Sequence, residues 1–181
     1  MAKRLDQVIV IDLEATCWEG PPPPGEENEI IEVGLCLVDV ASGERGERWD
    51  LLVRPERSRV SDFCTRLTAL TPEQVAGGVS FAEACRQITT RYAAKDRAWA
   101  SYGDYDRRQF ERQCQAASVP YPFGPTHLNV KTLFALRHGL PREVGMTEAL
   151  ARLQRPLEGT HHRAGDDAWN TAGILSDLLR P

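Results

Sequence analysis

The stretch from Gln7 to Leu13 constrains the fold of this chain more than any other. It contains Val8-Ile9-Val10-Ile11, a run of four β-branched residues that ends at Asp12. A short, continuous apolar run of this composition predicts a strand that is buried on both faces of a sheet. The run is too short for the apolar core of a signal peptide or for a membrane span, so we expect a cytoplasmic protein without a membrane partner.

Turn and capping signals divide the rest of the chain into further elements. Pro21 to Pro24 exclude regular structure from residues 18–28, and capping boxes at Thr71 and Ser80 predict helices after each. The other predicted strands cover 29–40, 44–53, 97–102 and 126–129, and the other predicted helices cover 106–117, 133–138, 147–153 and 166–179. A hairpin followed by alternating strands and helices predicts one α/β domain over residues 1–181 with a mixed sheet.

Charge is distributed unevenly along the 181 residues. The chain has 22 Lys and Arg against 26 Asp and Glu, a net charge of −4, which excludes a generally basic nucleic-acid coat. Residues 91–163 nevertheless hold 12 basic against 7 acidic residues, a local balance of +5. Five cysteines without a C-x-x-C pair indicate free or buried thiols rather than a zinc site or a redox motif.

Several acids stand where predicted elements end or begin. Asp12 and Glu14 are two apart at the end of the first strand, so both carboxylates point to one side, as Mg²⁺ or Mn²⁺ would require. Asp106 lies at a strand-to-helix junction, and His162 precedes Asp167 by five residues at the start of the last helix. Each pattern is weak alone, because a turn cap, a solvated carboxylate or a solvated imidazole explains it equally well.

The ordered set resembles the DEDDh 3′-to-5′ exonuclease family of RNase H-like fold. Within that family, IDLEATCWEG, NEIIEVG and VRPERSRVSDFCTRLTALT are similar to the exonucleases named for enhanced RNA interference, their histone-mRNA 3′-end relatives and bacterial homologues. Matching blocks run from about residue 8 to 179. The glycine of Arg163-Ala164-Gly165 is one place later than in these relatives. The resemblance implies a mixed five-stranded sheet flanked by helices on both faces.

The resemblance also implies roles for individual residues. The ligands of two divalent cations, Mg²⁺ or Mn²⁺, would be Asp12, Glu14, Asp106 and Asp167, and the general base would be His162. Asp106 is preferred over Asp104 because the acid of the family follows an aromatic residue, here Tyr105. His162 is preferred over His161 because it has the five-residue spacing to Asp167.

Residues that would contact the substrate are identified by resemblance and by aromatic chemistry. Phe63 and Tyr105 are candidates to stack on the terminal base, since aromatic faces hold single-stranded bases. Leu67 and Thr68 would line the same pocket, and the backbone near Ala15 and Thr16 would reach the terminal sugar; ordinary core packing is the alternative for Phe63 and Leu67. Phosphate contacts are assigned to three arginines that are otherwise solvated side chains: Arg107, Arg108 and Arg163.

The implied function is a metal-dependent 3′-to-5′ exonuclease that releases nucleoside 5′-monophosphates. Single-stranded or overhanging RNA is the preferred nucleic-acid substrate, with DNA possible because nothing in the sequence identifies a reader of the 2′-hydroxyl. The alternatives are a DNA-trimming or proofreading exonuclease and a non-catalytic regulatory module that keeps the fold.

Overall fold

One five-stranded sheet, with the strand order β3-β2-β1-β4-β5, organises the protein. A computed structural model describes residues 4–180. The strands are β1 Arg4–Ala15, β2 Ile30–Asp39, β3 Arg45–Leu52, β4 Arg97–Ser101 and β5 His127–Asn129. The helices are α1 Asp62–Thr68, α2 Pro72–Ala76, α3 Phe81–Tyr92, α4 Tyr105–Ala117, α5 Val130–Arg137, α6 Met146–Arg152 and α7 Ala164–Leu179. The strands β1, β2 and β3 are antiparallel, whereas β4 pairs in parallel with both β1 and β5, so the sheet is mixed as predicted.

The central strand β1 contributes to a hydrophobic core on each face of the sheet. Ile9 and Ile11 pack with α3 and α4 on one face, and Val8 and Val10 pack with α5, α6 and α7 on the other. All four side chains are at most 4% exposed. Helices therefore cover both faces, which confirms the predicted architecture and explains why the apolar run in β1 is continuous rather than alternating.

Most element predictions are confirmed, and the differences have local causes. The strand β1 extends further than predicted in both directions, because its outer residues also pair with neighbouring strands. Helix α5 begins three residues earlier than expected, because the Asn129 side chain accepts a hydrogen bond from the Thr132 amide at 3.1 Å and caps the helix there.

Helix α1 is absent from the sequence predictions. Its N-cap is Ser61, whose hydroxyl accepts a hydrogen bond from the Cys64 amide at 3.0 Å and donates one to the Cys17 carbonyl at 2.6 Å. With seven residues, the helix is too short to show a clear apolar period. Its position is instead fixed by the contact of Ser61 with Cys17, which is 44 residues earlier in the sequence.

The remaining fold-level predictions concern the cysteines and the membrane. All five cysteines are free thiols, and four of them are buried, as the absence of a C-x-x-C pair indicates. Within residues 4–180, no helix has the length and apolar character needed to cross a membrane.

Candidate active site

Strand β1 brings two carboxylates to one end of the sheet. Asp12 and Glu14 point to the same side of the strand, because side chains alternate along it. In the ladder with β2, Asp12 lies opposite Gly34 and Glu14 lies opposite Glu32. A Cβ on Gly34 would stand 2.0 Å from the carbonyl oxygen of Ala164, so only glycine lets the start of α7 approach β2 this closely.

The first turns of two helices supply the other two acids. Asp106 is in the first turn of α4, and its Oδ1 accepts a hydrogen bond from the Leu13 amide at 3.2 Å. Asp167 is in the first turn of α7, and ligand atoms of Asp12, Glu14 and Asp167 all lie within 4.8 Å of one another. The structure thus brings all four predicted acids into the walls of one cleft.

Burial and mutual repulsion make these acids hard to ionise without a counter-charge. Burial, followed by repulsion from neighbouring acids, raises the pKa of Glu14 to about 8 and the pKa of Asp12 well above its usual range. Burial is also the main reason that the pKa of Asp106 rises to about 7 and that the pKa of Asp167 is raised. Four buried carboxylates with raised pKa values are typical of a site that binds cations.

The hydrogen bonds of the two Asp167 carboxylate oxygens show whether a metal ion fits this site. Its Oδ2 accepts hydrogen bonds from the His162 amide at 3.0 Å and from the imidazole Nδ1 of His161 at 2.8 Å. Its Oδ1 is buried without a hydrogen-bond partner. A buried carboxylate oxygen without a partner, beside two further carboxylates, fits a hard divalent cation that takes oxygen ligands.

The two neighbouring histidines have different contacts. The Nδ1 of His162 lies 3.9 Å from Oε1 of Glu14, and its side chain is 41% exposed at the cleft. Burial, then the neighbouring His161, lowers the pKa of His162, so the ring is neutral near pH 7. The two rings stack with centroids 4.0 Å apart. The imidazole that bonds the Asp167 side chain is that of His161, a contact that the five-residue spacing does not reveal.

The cleft has a volume of about 370 Å³ and an apolar wall. Three of the predicted substrate residues, Ala15, Leu67 and Tyr105, line it, and Leu67 and Tyr105 remain 38% and 57% exposed. Tyr102 and Met146 also line it, although nothing in the sequence pattern indicates them. Met146 begins α6, which no motif connects to the acids.

Three other predicted substrate residues do not line the cleft. The Thr16 side chain is fully buried, and its hydroxyl donates to the Glu27 carbonyl and accepts from the Glu29 amide, both at 2.9 Å. The Thr68 hydroxyl donates to the Cys64 carbonyl at 2.9 Å. Phe63 is partly buried on α1, one turn before Leu67, and is not among the residues that line the cleft. Both threonine hydroxyls are thus engaged within the chain, whereas the contact predicted near Thr16 concerns its backbone, whose amide donates to the Glu29 carbonyl at 2.8 Å.

The three arginines that were predicted to contact phosphate differ in their side-chain contacts. The guanidinium of Arg163 is paired with the buried Glu32. Arg107 pairs with Asp104 at 3.3 Å and approaches Glu111 at 3.9 Å. Arg108 is exposed on α4. The Arg163 side chain therefore bonds a residue of β2 and is not among the residues that line the cleft, and its phosphate contact stays a prediction.

Comparison with known proteins identifies relatives along nearly the whole chain. The model of the exonuclease family (RNase_T) matches residues 9–175. The chain is 30% identical over 185 residues to human 3′-5′ exoribonuclease 1, covering 97% of this chain and 53% of that protein. It is 26% identical to the probable 3′-5′ exonuclease KapD of Bacillus subtilis, covering 90% of this chain and 80% of that one. The chain thus spans about half the length of the first of these relatives.

A solved structure gives the same result for the fold. The nuclease domain of 3′hExo, described as a DEDDh family member bound to rAMP, superposes with a TM-score of 0.88 at 28% identity. The superposition covers 99% of this chain and 94% of that domain. The match confirms the RNase H-like fold and the resemblance drawn from the motifs. The chain therefore belongs to the exonuclease family, within its DEDDh branch.

Proposed function

We propose that the protein is a 3′-to-5′ exonuclease that hydrolyses RNA and releases nucleoside 5′-monophosphates. One observation carries the proposal. Three carboxylates, two from β1 and one from α7, converge within 4.8 Å in an open cleft, and that of Asp167 keeps a buried oxygen without a partner. A structural ion-pair network would have satisfied that oxygen, whereas a cation site leaves it available.

Asp12, Glu14, Asp106 and Asp167 would hold two divalent cations, Mg²⁺ or Mn²⁺. When bound, such a pair supplies Lewis-acid stabilisation of the charge that develops on the phosphoryl and leaving oxygens. The chain restricts where the carboxylates point: the Leu13 amide holds Asp106, and the His162 amide holds Asp167. This pre-organisation supports the assignment, because carboxylates fixed before binding lose little freedom when they take a ligand.

His162 would act as the general base. Its imidazole is exposed at the cleft and lies 3.9 Å from Glu14, one of the cation-holding acids. Because its pKa is lowered, the neutral ring predominates near pH 7 and can take a proton from an attacking water. The proposed base, His162, therefore lies between the buried acids and the solvent.

The apolar wall would bind the terminal nucleotide. Tyr105 and Leu67 are large side chains that stay exposed although apolar surface favours burial, which is typical of a ligand-binding surface. An aromatic ring accepts any base by stacking and needs no base-specific hydrogen bonds. We infer an exonuclease with little sequence preference at the 3′ end.

RNA is the substrate that the relatives favour. The human relative is named an exoribonuclease, and the superposed nuclease domain holds rAMP. Substrate affinity should depend on the cations, because any of the four carboxylates that is ionised without a cation beside it would repel the phosphate backbone of a nucleic acid.

Matched oligonucleotides test the choice of substrate. RNA and DNA strands of one sequence, each with a 5′ label, are digested in Mn²⁺, and the released mononucleotides are identified by chromatography. Faster loss of 3′ nucleotides from RNA, as nucleoside 5′-monophosphates, is the expected result. A preference for DNA would favour the trimming exonuclease, and no digestion of either strand would favour the regulatory module.

A further inference from the structure

An ion pair with a buried carboxylate, that of Glu32 with Arg163, lies next to the candidate active site. Arg163 donates from Nε to both carboxylate oxygens of Glu32 at 3.2 Å, and from Nη2 to Oε1 at 2.7 Å. The Glu32 side chain is 2% exposed, whereas that of Arg163 is 34% exposed. A fork of this kind fixes orientation as well as distance, since the planar guanidinium matches the carboxylate.

The same carboxylate caps the helix that carries Asp167. The N-cap of α7 is Arg163, which makes no side-chain capping bond of its own. Oε2 of Glu32 instead accepts a hydrogen bond from the Ala164 amide at 2.8 Å. A strand residue 132 positions earlier therefore supplies the acceptor, and its negative charge suits the positive end of the helix.

Residues on both sides of the pair belong to the site. Glu32 lies opposite Glu14 in the β1–β2 ladder, and Arg163 directly follows His162. The Arg163 carbonyl accepts a hydrogen bond from the Asp167 amide at 2.9 Å. His162 has a φ of 66°, a left-handed conformation that a non-glycine residue keeps only where its surroundings enforce it.

We propose that Glu32 and Arg163 form a positioning pair that holds His162 and Asp167 in place against Glu14, and that Arg163 makes no phosphate contact. This inference rests on the proposed function. Arg163 also compensates the charge of Glu32, which would otherwise stand as a fifth buried carboxylate beside Glu14. Loss of either partner should displace the base and the acid without weakening contacts to the RNA.

Steady-state kinetics on four variants separate this role from phosphate binding. Arg163→Gln should lower kcat by roughly 10- to 100-fold with KM for RNA nearly unchanged, because small displacements of catalytic groups are costly. Glu32→Gln should also lower kcat. The double variant should be no worse than Arg163→Gln alone, because the two changes break one unit. Arg163→Lys should recover only part of kcat, since lysine keeps the charge but lacks the fork.

A matched control tests whether any ion pair at the start of α7 would have the same effect. Arg48 of β3 pairs with Asp166, in the same first turn as Asp167, but neither residue is bonded to the side chain of Asp167 or of His162. Arg48→Gln should keep kcat close to that of the unmodified protein. Hydrogen exchange of residues 162–167 gives a readout independent of activity, and it should accelerate in Arg163→Gln and Glu32→Gln but not in Arg48→Gln.

Either of two results would overturn the inference. The first is a raised KM with a weaker salt dependence and unchanged kcat in Arg163→Gln, which would assign the residue to phosphate. The second is kcat and exchange in both single variants equal to those of Arg48→Gln. If Arg163→Gln does not fold, Arg163→Lys takes its place, with a reduced kcat supporting the pair and full activity contradicting it. An unmodified protein that fails to degrade RNA would contradict the proposed function instead, and hydrogen exchange would still test the pair.

Discussion

The cleft has two walls that are built in different ways. The acidic wall comes from the end of the central strand and from the first turns of two helices, and each of its carboxylates is fixed by backbone hydrogen bonds or by the sheet register. The apolar wall comes from a seven-residue helix and a half-exposed tyrosine. We infer that the acidic wall determines the rate of the reaction, whereas the apolar wall determines how tightly the substrate binds.

Asp12→Ala should have the largest effect. It removes a carboxylate shared by the cluster, and kcat should fall by roughly 10³-fold, as expected when a main electrostatic group of an active site is lost. Asp104→Ala is the matched control, because Asp104 lies near the cleft but pairs with Arg107. An RNA digestion assay measures both variants, and equal losses would contradict the assignment of Asp12.

His162→Ala should lower kcat by roughly 10²- to 10⁴-fold, the range of general-base catalysis, while Mn²⁺ affinity measured by calorimetry stays close to that of the unmodified protein. His161→Ala serves as its control, because His161 bonds Asp167 but is not assigned a proton transfer. A larger loss of kcat in His161→Ala than in His162→Ala would reverse the assignment of the two histidines.

On the apolar wall, Tyr105→Ala should raise KM by roughly fivefold to tenfold with a small change in kcat, because stacking contributes about 1–3 kcal/mol per base and this ring is half exposed. Tyr105→Phe keeps the ring and should retain the original KM. Steady-state kinetics on a short RNA decide the point, and a fall in kcat alone would place Tyr105 with the acidic wall.

The smallest expected effect is on the stability of the metal-free protein. Folding raises the pKa of Glu14 from 4.5 to about 8, so the folded state binds more protons than the unfolded state between these values. Its stability should therefore fall as the pH rises across this range. Thermal unfolding in chelator should give a lower Tm at about pH 8 than at about pH 6, and Glu14→Gln should reduce the difference. A Tm that rises with pH would contradict the burial of uncompensated acids.

The acidic wall was predicted from local patterns together with the family resemblance. Strand alternation places Asp12 and Glu14 on one side, and Asp106 and Asp167 lie at the start of helices. Each of these patterns is weak alone, and the resemblance selected the four acids. The mixed sheet follows from a hairpin and a buried strand.

Contacts between distant segments could not be predicted. The pairing of Glu32 with Arg163 joins residues 131 positions apart, and the cap of α1 depends on the Cys17 carbonyl. Thr68 was predicted to line the base pocket, but its hydroxyl is used within the chain. Which polar groups remain free to bind a ligand depends on the tertiary packing, and the spacing of residues in the sequence does not predict this.

We propose that the four acids and His162 form a cation-dependent site that removes nucleotides from 3′ ends. Time-resolved digestion of a 5′-labelled RNA, with Mg²⁺ or Mn²⁺ and in parallel with chelator, measures this activity. We expect a ladder that shortens by single nucleotides from the 3′ end in either metal and no products in chelator. Internal cuts, or undiminished digestion in chelator, would contradict it.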